Sequence, residues 1–378
     1  MDFDLSSEQR MIRDLARNFS RKEIAPAAAG LDCDEDFPRE IYDRAQALGL
    51  LNLTIPSDYG GVGLGVVDLV IVAEQLAWAC TGVGLALELN AVVTDALLMG
   101  GDEPIKKEFL GRLADGEIGC YALTEPGAGS DVAGIETTAL LQGDRYLVNG
   151  SKTWISNATE AKFAIVFAMT DPKQRQRGIT ALVVEMDTPG VTVERRLEKL
   201  GQRAAPAAEL RFDNVEVPVA RRLGAEGRGF EVAMRVFDRS RPMIAALALG
   251  LTERCLDESL AYASQRHTMG RPIIRHQAVG HKLAEMAMRL EAGRLLAYEA
   301  AWMADTGRRN TMQVAFAKAF ATDTATWAAS EAIQIFGAMG YSRELPLEKL
   351  YRDAKVMQIY EGTNEIQRNI MVRELSNR

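Results

Sequence analysis

Histidine and cysteine are scarce in this 378-residue chain: three His and four Cys. Cys33, Cys80, Cys120 and Cys255 stand far apart with no C-x-x-C pair, and His267, His276 and His281 form no H-E-x-x-H arrangement. Metal sites draw on closely spaced ligands, so no metal is expected. A disulfide-stapled scaffold is excluded too, and scattered thiols suit a reducing compartment. A basic excess is also lacking. Lys+Arg is 44 against Asp+Glu 52, a net charge of −8, so the footprint of a nucleic-acid binder is missing. The most apolar run, Met243 to Leu251, lies between Arg241 and Glu253 and is too short to span a bilayer. The start, MDFDLSSEQRMIRDLARNF, is charged and helical in pattern rather than a basic stub before an apolar run, so it does not read as a signal peptide. The expectation is a soluble, cytoplasmic protein. No G-K-[ST] phosphate loop occurs, and Gly127-Ala128-Gly129 lacks the full G-x-G-x-x-G spacing of a dinucleotide-binding sheet.

What is present is ordinary globular material, 47% hydrophobic and 25% charged, in a chain long enough for two or three domains. Residues 1–118 read as helices. Leu5, Ile12, Leu15 and Phe19 recur near helical spacing after the polar start Ser6-Ser7, and Pro26 is expected to interrupt that helix. Val67–Trp78 and Val83–Met99 are apolar almost all round, the mark of buried helices. Residues 119–225 break into short β-branched runs: Thr137–Gln142 and Arg145–Val148 across a Gly143-Asp144 turn, then Phe163–Met169, Ile179–Met186, Val191–Glu194 and Glu209–Phe212, with Asp171–Arg177 a polar loop. That pattern predicts a small antiparallel barrel or sandwich. Residues 226–378 return to helical period. Pro242 is placed in the first turn of a long helix, Gly270-Arg271-Pro272 at its end, and further helices follow to Thr306-Gly307, over Met312–Phe336, and after Gly362. Helices, then strands, then a helix bundle indicate a multidomain α+β protein rather than an alternating sheet.

Three segments could carry chemistry. In Thr124-Glu125-Pro126-Gly127-Ala128-Gly129-Ser130-Asp131, bare backbone N–H groups lie beside hydroxyls, a surface for an anion or the polar edge of a flat ring; an interdomain turn would look the same. Trp154-Ile155-Ser156-Asn157 ends a strand-like run, and its indole either stacks on a planar ligand or fills a core. In Ile359-Tyr360-Glu361-Gly362-Thr363-Asn364-Glu365-Ile366-Gln367-Arg368, Glu361 stands between an aromatic ring and a glycine. A carboxylate in an apolar cleft rises toward neutrality and suits a general base; a glutamate at a helix start also simply answers the helix dipole.

Together, TEPGAGSD, WIS, FDRSRP, AEMAM, GRRNT (Gly307–Thr311), QIFGAMGY (Gln334–Tyr341) and YEGTNEIQR, running from Phe3 to Arg373, resemble the acyl-CoA dehydrogenase family, most closely its medium- or short-chain type. The resemblance implies an N-terminal helical domain, a central β domain and a C-terminal four-helix bundle. It implies non-covalent FAD and α,β-dehydrogenation of a saturated acyl-CoA to a trans-2-enoyl-CoA, with electrons passing to an electron-transfer flavoprotein. The oxygen-reducing oxidases, or relatives acting on carrier-protein-bound, branched or cyclic acyl thioesters, are the alternative. Carried over residue by residue, Glu361 matches the base that takes the α-proton while the β-hydride goes to the flavin. Tyr121, Leu123, Thr124, Gly129, Ser130, Trp154, Ile155 and Ser156 match flavin-side positions. Arg266, Thr268, His276, Gln277, Gln334, Ile335, Phe336 and Gly337, with Thr363 and Glu365, match positions holding the rest of FAD, several of them across a subunit boundary. Ser130, Asp238, Ser240, Arg241, Arg309, Thr311, Tyr360 and Gly362 match positions near the acyl-CoA. The resemblance also implies a homo-oligomer, a dimer of dimers. Three departures stand out. Ser240 replaces the glutamate that isovaleryl and long-chain relatives use as base, Ala338 replaces a glycine, and Ala205 and Ala207 replace hydroxyl residues.

Overall fold

The computed structural model describes residues 4–377; Phe3, where the resemblance begins, lies outside them. The first layer is helical. Helix α1 (Ser7–Phe19) opens on a reciprocal cap in which Ser6 and Gln9 each accept the other's backbone N–H. Pro26 does not interrupt the run as expected. A single π turn (Ser20–Ile24) intervenes, the Ala25 N–H reaches back to Ser20 O, and Pro26 falls at the start of α2 (Ala25–Asp34). In a first turn the missing N–H costs nothing, so the slipped ladder absorbs the proline. After α3 (Arg39–Ala47) come α4 (Val66–Ala79), α5 (Thr81–Glu88), α6 (Asn90–Gly100) and α7 (Glu103–Ala114). Helices α4 to α6 are buried on nearly every side, as their unbroken apolar pattern demands. Thr81–Gly100, rather than Met243–Leu251, is the stretch long and apolar enough to cross a bilayer, but it is 83% buried inside the protein and broken at Leu89 between α5 and α6.

The middle of the chain forms one eight-stranded sheet from β1 (Gly119–Ala122), β2 (Thr138–Gln142), β3 (Arg145–Ser156), β4 (Phe163–Met169), β5 (Ile179–Glu185), β6 (Val191–Arg196), β7 (Ala207–Pro218) and β8 (Arg222–Leu223). Their order is β6-β7-β3-β2-β4-β5-β8, with β1 against β4. The Gly143-Asp144 turn forms as read, with Gln142 opposite Arg145. The sheet is not purely antiparallel: β1 and β2 both run parallel to β4. Parallel neighbours need a long crossover, and the segment from Ala122 to Phe163, with its own hairpin, supplies one. Asp171–Arg177 is not an open loop, because Pro172–Gly178 winds into 3-10 turns interrupted at Arg175.

The last part packs α8 (Gly229–Gln265), α9 (Gln277–Asp305) and α10 (Thr311–Phe336) with α11 (Leu347–Met357) and α12 (Asn364–Ser376), so α11 adds a helix that the sequence pattern did not separate. Pro242 sits deep inside α8, not in its first turn. Proline there frees the carbonyl four residues back, that of Asp238. Asn310 Nδ2 donates to Asp238 O at 3.0 Å and to Ala300 O at 2.9 Å, so a side chain replaces the lost ladder bond. Helix α8 ends at Gln265, before Gly270-Arg271-Pro272; those residues belong to a tight hairpin of β9 (His267–Thr268) and β10 (Arg271–Pro272). The layers interlock closely. A Cβ at Gly250 of α8 would stand 2.2 Å from Glu74 O of α4, and Asp305 at the end of α9 accepts the Val66 and Val67 N–H groups that open α4.

Candidate active site

The loop after β1 is held from below by a buried ion pair. Lys152 of β3, fully buried, donates to Leu123 O at 3.0 Å and to Glu125 Oε1 at 2.6 Å. The Glu125 carboxylate also receives the Glu136 and Thr137 N–H groups. Burial pushes Lys152 down to about 8, while Lys152 and the N–H donors outweigh burial at Glu125 and lower its carboxyl. Glu125 and Ala128 close the loop by exchanging backbone bonds, and Thr153 N–H donates to Thr124 O. Above this brace Gly127, Gly129 and Ser130 line the rim, and a Cβ at either glycine would meet nothing within 4 Å. On the neighbouring strand the β3–β7 register slips between Lys152 and Ile155. This bulge puts Trp154 in the left-handed region at φ 60 with its indole 56% exposed. Bulges of this kind re-aim side chains beside sites. Ile155 is buried and Ser156 half-buried.

The second half of the site is the turn between α11 and α12. Glu361 and Gly362 are both left-handed, at φ 57 and 87. Ser240 Oγ of α8 donates to Glu361 Oε2 at 2.8 Å, and Arg241 Nε donates to Glu361 O at 2.9 Å. Gln367 Nε2 reaches both turn carbonyls, and Lys318 Nζ of α10 donates to Gly362 O and Asn364 Oδ1, each at 2.9 Å. Glu361 is crowded by protein yet keeps solvent-accessible surface, the combination a cleft produces. Burial raises its carboxyl above the usual carboxylate range, against the opposing pull of Arg241, Ser240 and Lys318. Tyr360 accepts a bond from Gln202 Nε2 at 3.3 Å. Tyr121 of β1 lies close enough to feel the Glu361 charge, with its ring 4.9 Å from Phe167, and its buried hydroxyl has no partner among the described residues. An exposed indole on a bulge, an open glycine loop and an orphaned buried hydroxyl fit a flat, polar-edged cofactor.

The candidate residues fall into two groups. Tyr121, Ser240, Arg241, Tyr360, Glu361, Gly362 and Thr363 converge on the cleft. Thr363 caps α12 by accepting the Ile366 N–H, and Glu365 is exposed on the next turn. Asp238 is adjacent, its carboxylate bonded by Thr311 Oγ1 at 2.7 Å. Arg309 is largely exposed and already paired with Glu374 at 2.7 Å. A second group gathers at the far end of α8. His276 bonds Thr268 at 3.0 Å, Phe336 stacks on Tyr262 at 4.0 Å, and Arg266, Gln277, Gln334 and Gly337 are exposed around them. Ile335 and Phe336 face the core, as do Leu123 and Ile155, so only their backbones are offered outward. From Ser240 to Gln265 α8 rises about 37 Å, so the two groups stand at opposite ends of that span. Ala205 and Ala207 are buried, and Ala338 is exposed; nothing in their surroundings calls for the missing groups. Sequence reading missed Lys318, Gln202, Asn310 and the Lys152–Glu125 brace. Lys318 could have been found, since it stands at helical spacing from Ala315, Ala321 and Ala325, all buried in α10.

Residues 6–117, 120–215 and 227–376 match the N-terminal, middle and C-terminal domains of acyl-CoA dehydrogenase. The chain belongs to the acyl-CoA dehydrogenase family and is an FAD-dependent oxidoreductase. It is 43% identical over 373 residues to an acyl-CoA dehydrogenase of Bacillus subtilis (strain 168), covering 98% of each chain. Among solved structures, butyryl-CoA dehydrogenase from Megasphaera elsdenii superposes with a TM-score of 0.97 at 38% identity, covering 100% of both chains. A prolyl acyl carrier protein oxidase does so with 0.94 at 34%, covering 98% of this chain and 100% of the other.

Proposed function

We propose that this enzyme desaturates a short saturated acyl-CoA between its α and β carbons, with Glu361 removing the α-proton. The observation that carries the reading is the Glu361 carboxylate itself: a desolvated base in a cleft, held by Ser240 at 2.8 Å and close enough to Tyr121 of β1 to act on its buried hydroxyl. An α-C–H next to a thioester is a weak acid, so a carboxylate raised by burial is better matched to it than one in water. As the proton leaves, charge builds on the thioester oxygen. The Glu361 backbone N–H, fixed by the left-handed turn, is the donor this chain provides for it. Bound FAD supplies the acceptor for the β-hydrogen and its electron pair. Thr124, Ser156 and Trp154 would hold the flavin ring, and Thr363 and Glu365 would hold another part of FAD. As the family resemblance implies, several of Arg266, Thr268, His276, Gln277 and Gln334–Gly337, which gather at the far end of α8, would serve the FAD of a second copy of the chain. The functional unit is therefore a homo-oligomer, and the reduced enzyme passes its electrons to an electron-transfer flavoprotein. The butyryl-CoA dehydrogenase likeness supports a short acyl chain. The prolyl acyl carrier protein oxidase likeness supports a second reading, a carrier-bound acyl group.

The test uses the purified, FAD-loaded protein under anaerobic conditions. Butyryl-CoA should bleach the flavin band in the natural enzyme. Glu361→Gln should keep FAD and bind the thioester but lose turnover by orders of magnitude; near-normal bleaching by that variant would place the base elsewhere. Bleaching by an acyl carrier protein thioester, and not by acyl-CoAs of any length, would decide for the second reading.

A further inference from the structure

The 361–364 turn is unusual in having two successive left-handed residues, of which Glu361 has a side chain and so bears a steric cost. Such a turn persists only where its surroundings fix it. Both of its carbonyls point into the protein, toward side chains from three different helices. Arg241 of α8 takes Glu361 O, Gln367 of α12 takes Gly362 O at 3.0 Å and Glu361 O at 3.3 Å, and Lys318 of α10 takes Gly362 O. Lys318 is the ammonium of this set, and both of its side-chain bonds go to the 361–364 turn. It is fully buried in a helix face lined mostly with alanine, with Val314 and Thr322 one turn either side, and its ammonium donates to Gly362 O and Asn364 Oδ1. Asn364 is in turn locked by Thr322 at 2.9 Å and Asp323 at 2.7 Å. A buried ammonium is costly unless its bonds matter.

We propose that Lys318 is the positioning residue of the catalytic base: by donating to Gly362 O and Asn364 Oδ1 it holds the turn in the conformation that delivers the Glu361 carboxylate to the cleft. This rests on the reading of Glu361 as the base. The charged groups that face Lys318 are Arg241 from α8, Glu361 from the turn, Asp323 from its own helix and Glu365 from α12. Burial and then Arg241 push Lys318 down to about 7, so it is cationic at the acid pH where Glu361 gains its proton. There its charge favours the ionised carboxylate.

The experiment compares Lys318→Met, which loses donor and charge, with Lys318→Gln, which keeps a donor, both as FAD-loaded enzyme assayed with butyryl-CoA from about pH 5.5 to 9, a range that starts above the ordinary carboxyl value. Lys318→Met should lower kcat by at least about 30-fold with KM changed less than about threefold, and should move the acid limb of kcat/KM to higher pH. Lys318→Gln should recover kcat several-fold over Lys318→Met while its limb stays displaced. Flavin absorbance per chain and subunit assembly are measured on each, apart from activity. The proposal is overturned if Lys318→Met keeps kcat within about twofold with an unmoved limb, or if Lys318→Gln is no better than Lys318→Met. It is overturned equally if neither variant takes up FAD, which would make Lys318 a folding residue. If Lys318→Met does not assemble, Lys318→Gln alone decides, by the displacement of its acid limb at a measurable kcat. Glu361→Gln serves as control: activity retained there defeats the reading of the base, whereas activity lost there and kept in Lys318→Met defeats only this inference.

Discussion

Glu88 offers a quantitative test of the packing of the first helical layer. It is the last residue of α5, 1% exposed, and its Oε1 has no hydrogen-bond partner among the described residues. Burial alone pushes its carboxyl from 4.5 up to about 8. Below the lower value both folded and unfolded chains are protonated and the group is neutral in its effect. Between the two, the unfolded chain has released a proton that the folded one retains, so folding stability falls as pH rises, by about 1.4 kcal/mol per unit. The loss reaches about 3 kcal/mol at pH 7 and roughly 5 kcal/mol above pH 8, as upper bounds if water relaxes into the site. Glu88→Gln has the shape of the protonated form and cannot ionise. Near pH 5 the two proteins should unfold together, and by about pH 8 the variant should be ahead by a few degrees. The assay is thermal unfolding of the FAD-loaded protein from about pH 5 to 9 at one protein concentration, reading the difference between the two curves. A difference that stays flat with pH, or a variant that loses ground to the natural chain as pH rises, would refute the reasoning.

Other outcomes follow from single contacts. Ser240→Ala removes a donor to the ionised Glu361 carboxylate, so the acid limb of kcat/KM should move up in pH, with a larger loss at about pH 6 than at pH 8. Lys152→Met leaves the Glu125 carboxylate buried and unpaired, which should cost about 3–5 kcal/mol and strip FAD during purification; adding Glu125→Gln should restore part of both, as read by denaturant midpoint and flavin content. Asn310→Ala orphans the Asp238 carbonyl freed by Pro242, for a loss of about 1–3 kcal/mol measured by urea unfolding.

Much of the fold was legible because its signals are local and repeated. The apolar helices of the first layer, the Gly143-Asp144 hairpin and strands β4 and β5 are written as period and punctuation, and they appear where those place them. Prolines misled. Pro26 and Pro242 break helices only if nothing compensates, and the compensation is non-local in one case and subtle in the other. Asn310, far along the chain, satisfies the carbonyl that Pro242 frees, while one π turn readies the chain for Pro26. No window around either proline contains that information. The parallel pairing of β1 and β2 with β4 is non-local in the same sense, since it is decided by where the crossover returns.

The site divides along the same line. Glu361, Trp154 and the Thr124–Asp131 loop stood out because special backbone conformations leave traces in sequence: an aromatic and a glycine flank Glu361, two glycines open the loop, and a hydroxyl and an amide follow the bulged Trp154. The groups that hold those segments left almost none. Lys152, Glu125, Gln202 and Lys318 are ordinary polar residues in ordinary elements, and what distinguishes them is burial with bonded partners. Burial of a charge is costly enough that it persists only when it fixes something. A lysine spaced in register with a helix's buried alanines is thus the one trace the sequence does carry, and in α10 it leads from Lys318 directly to the turn that bears the base.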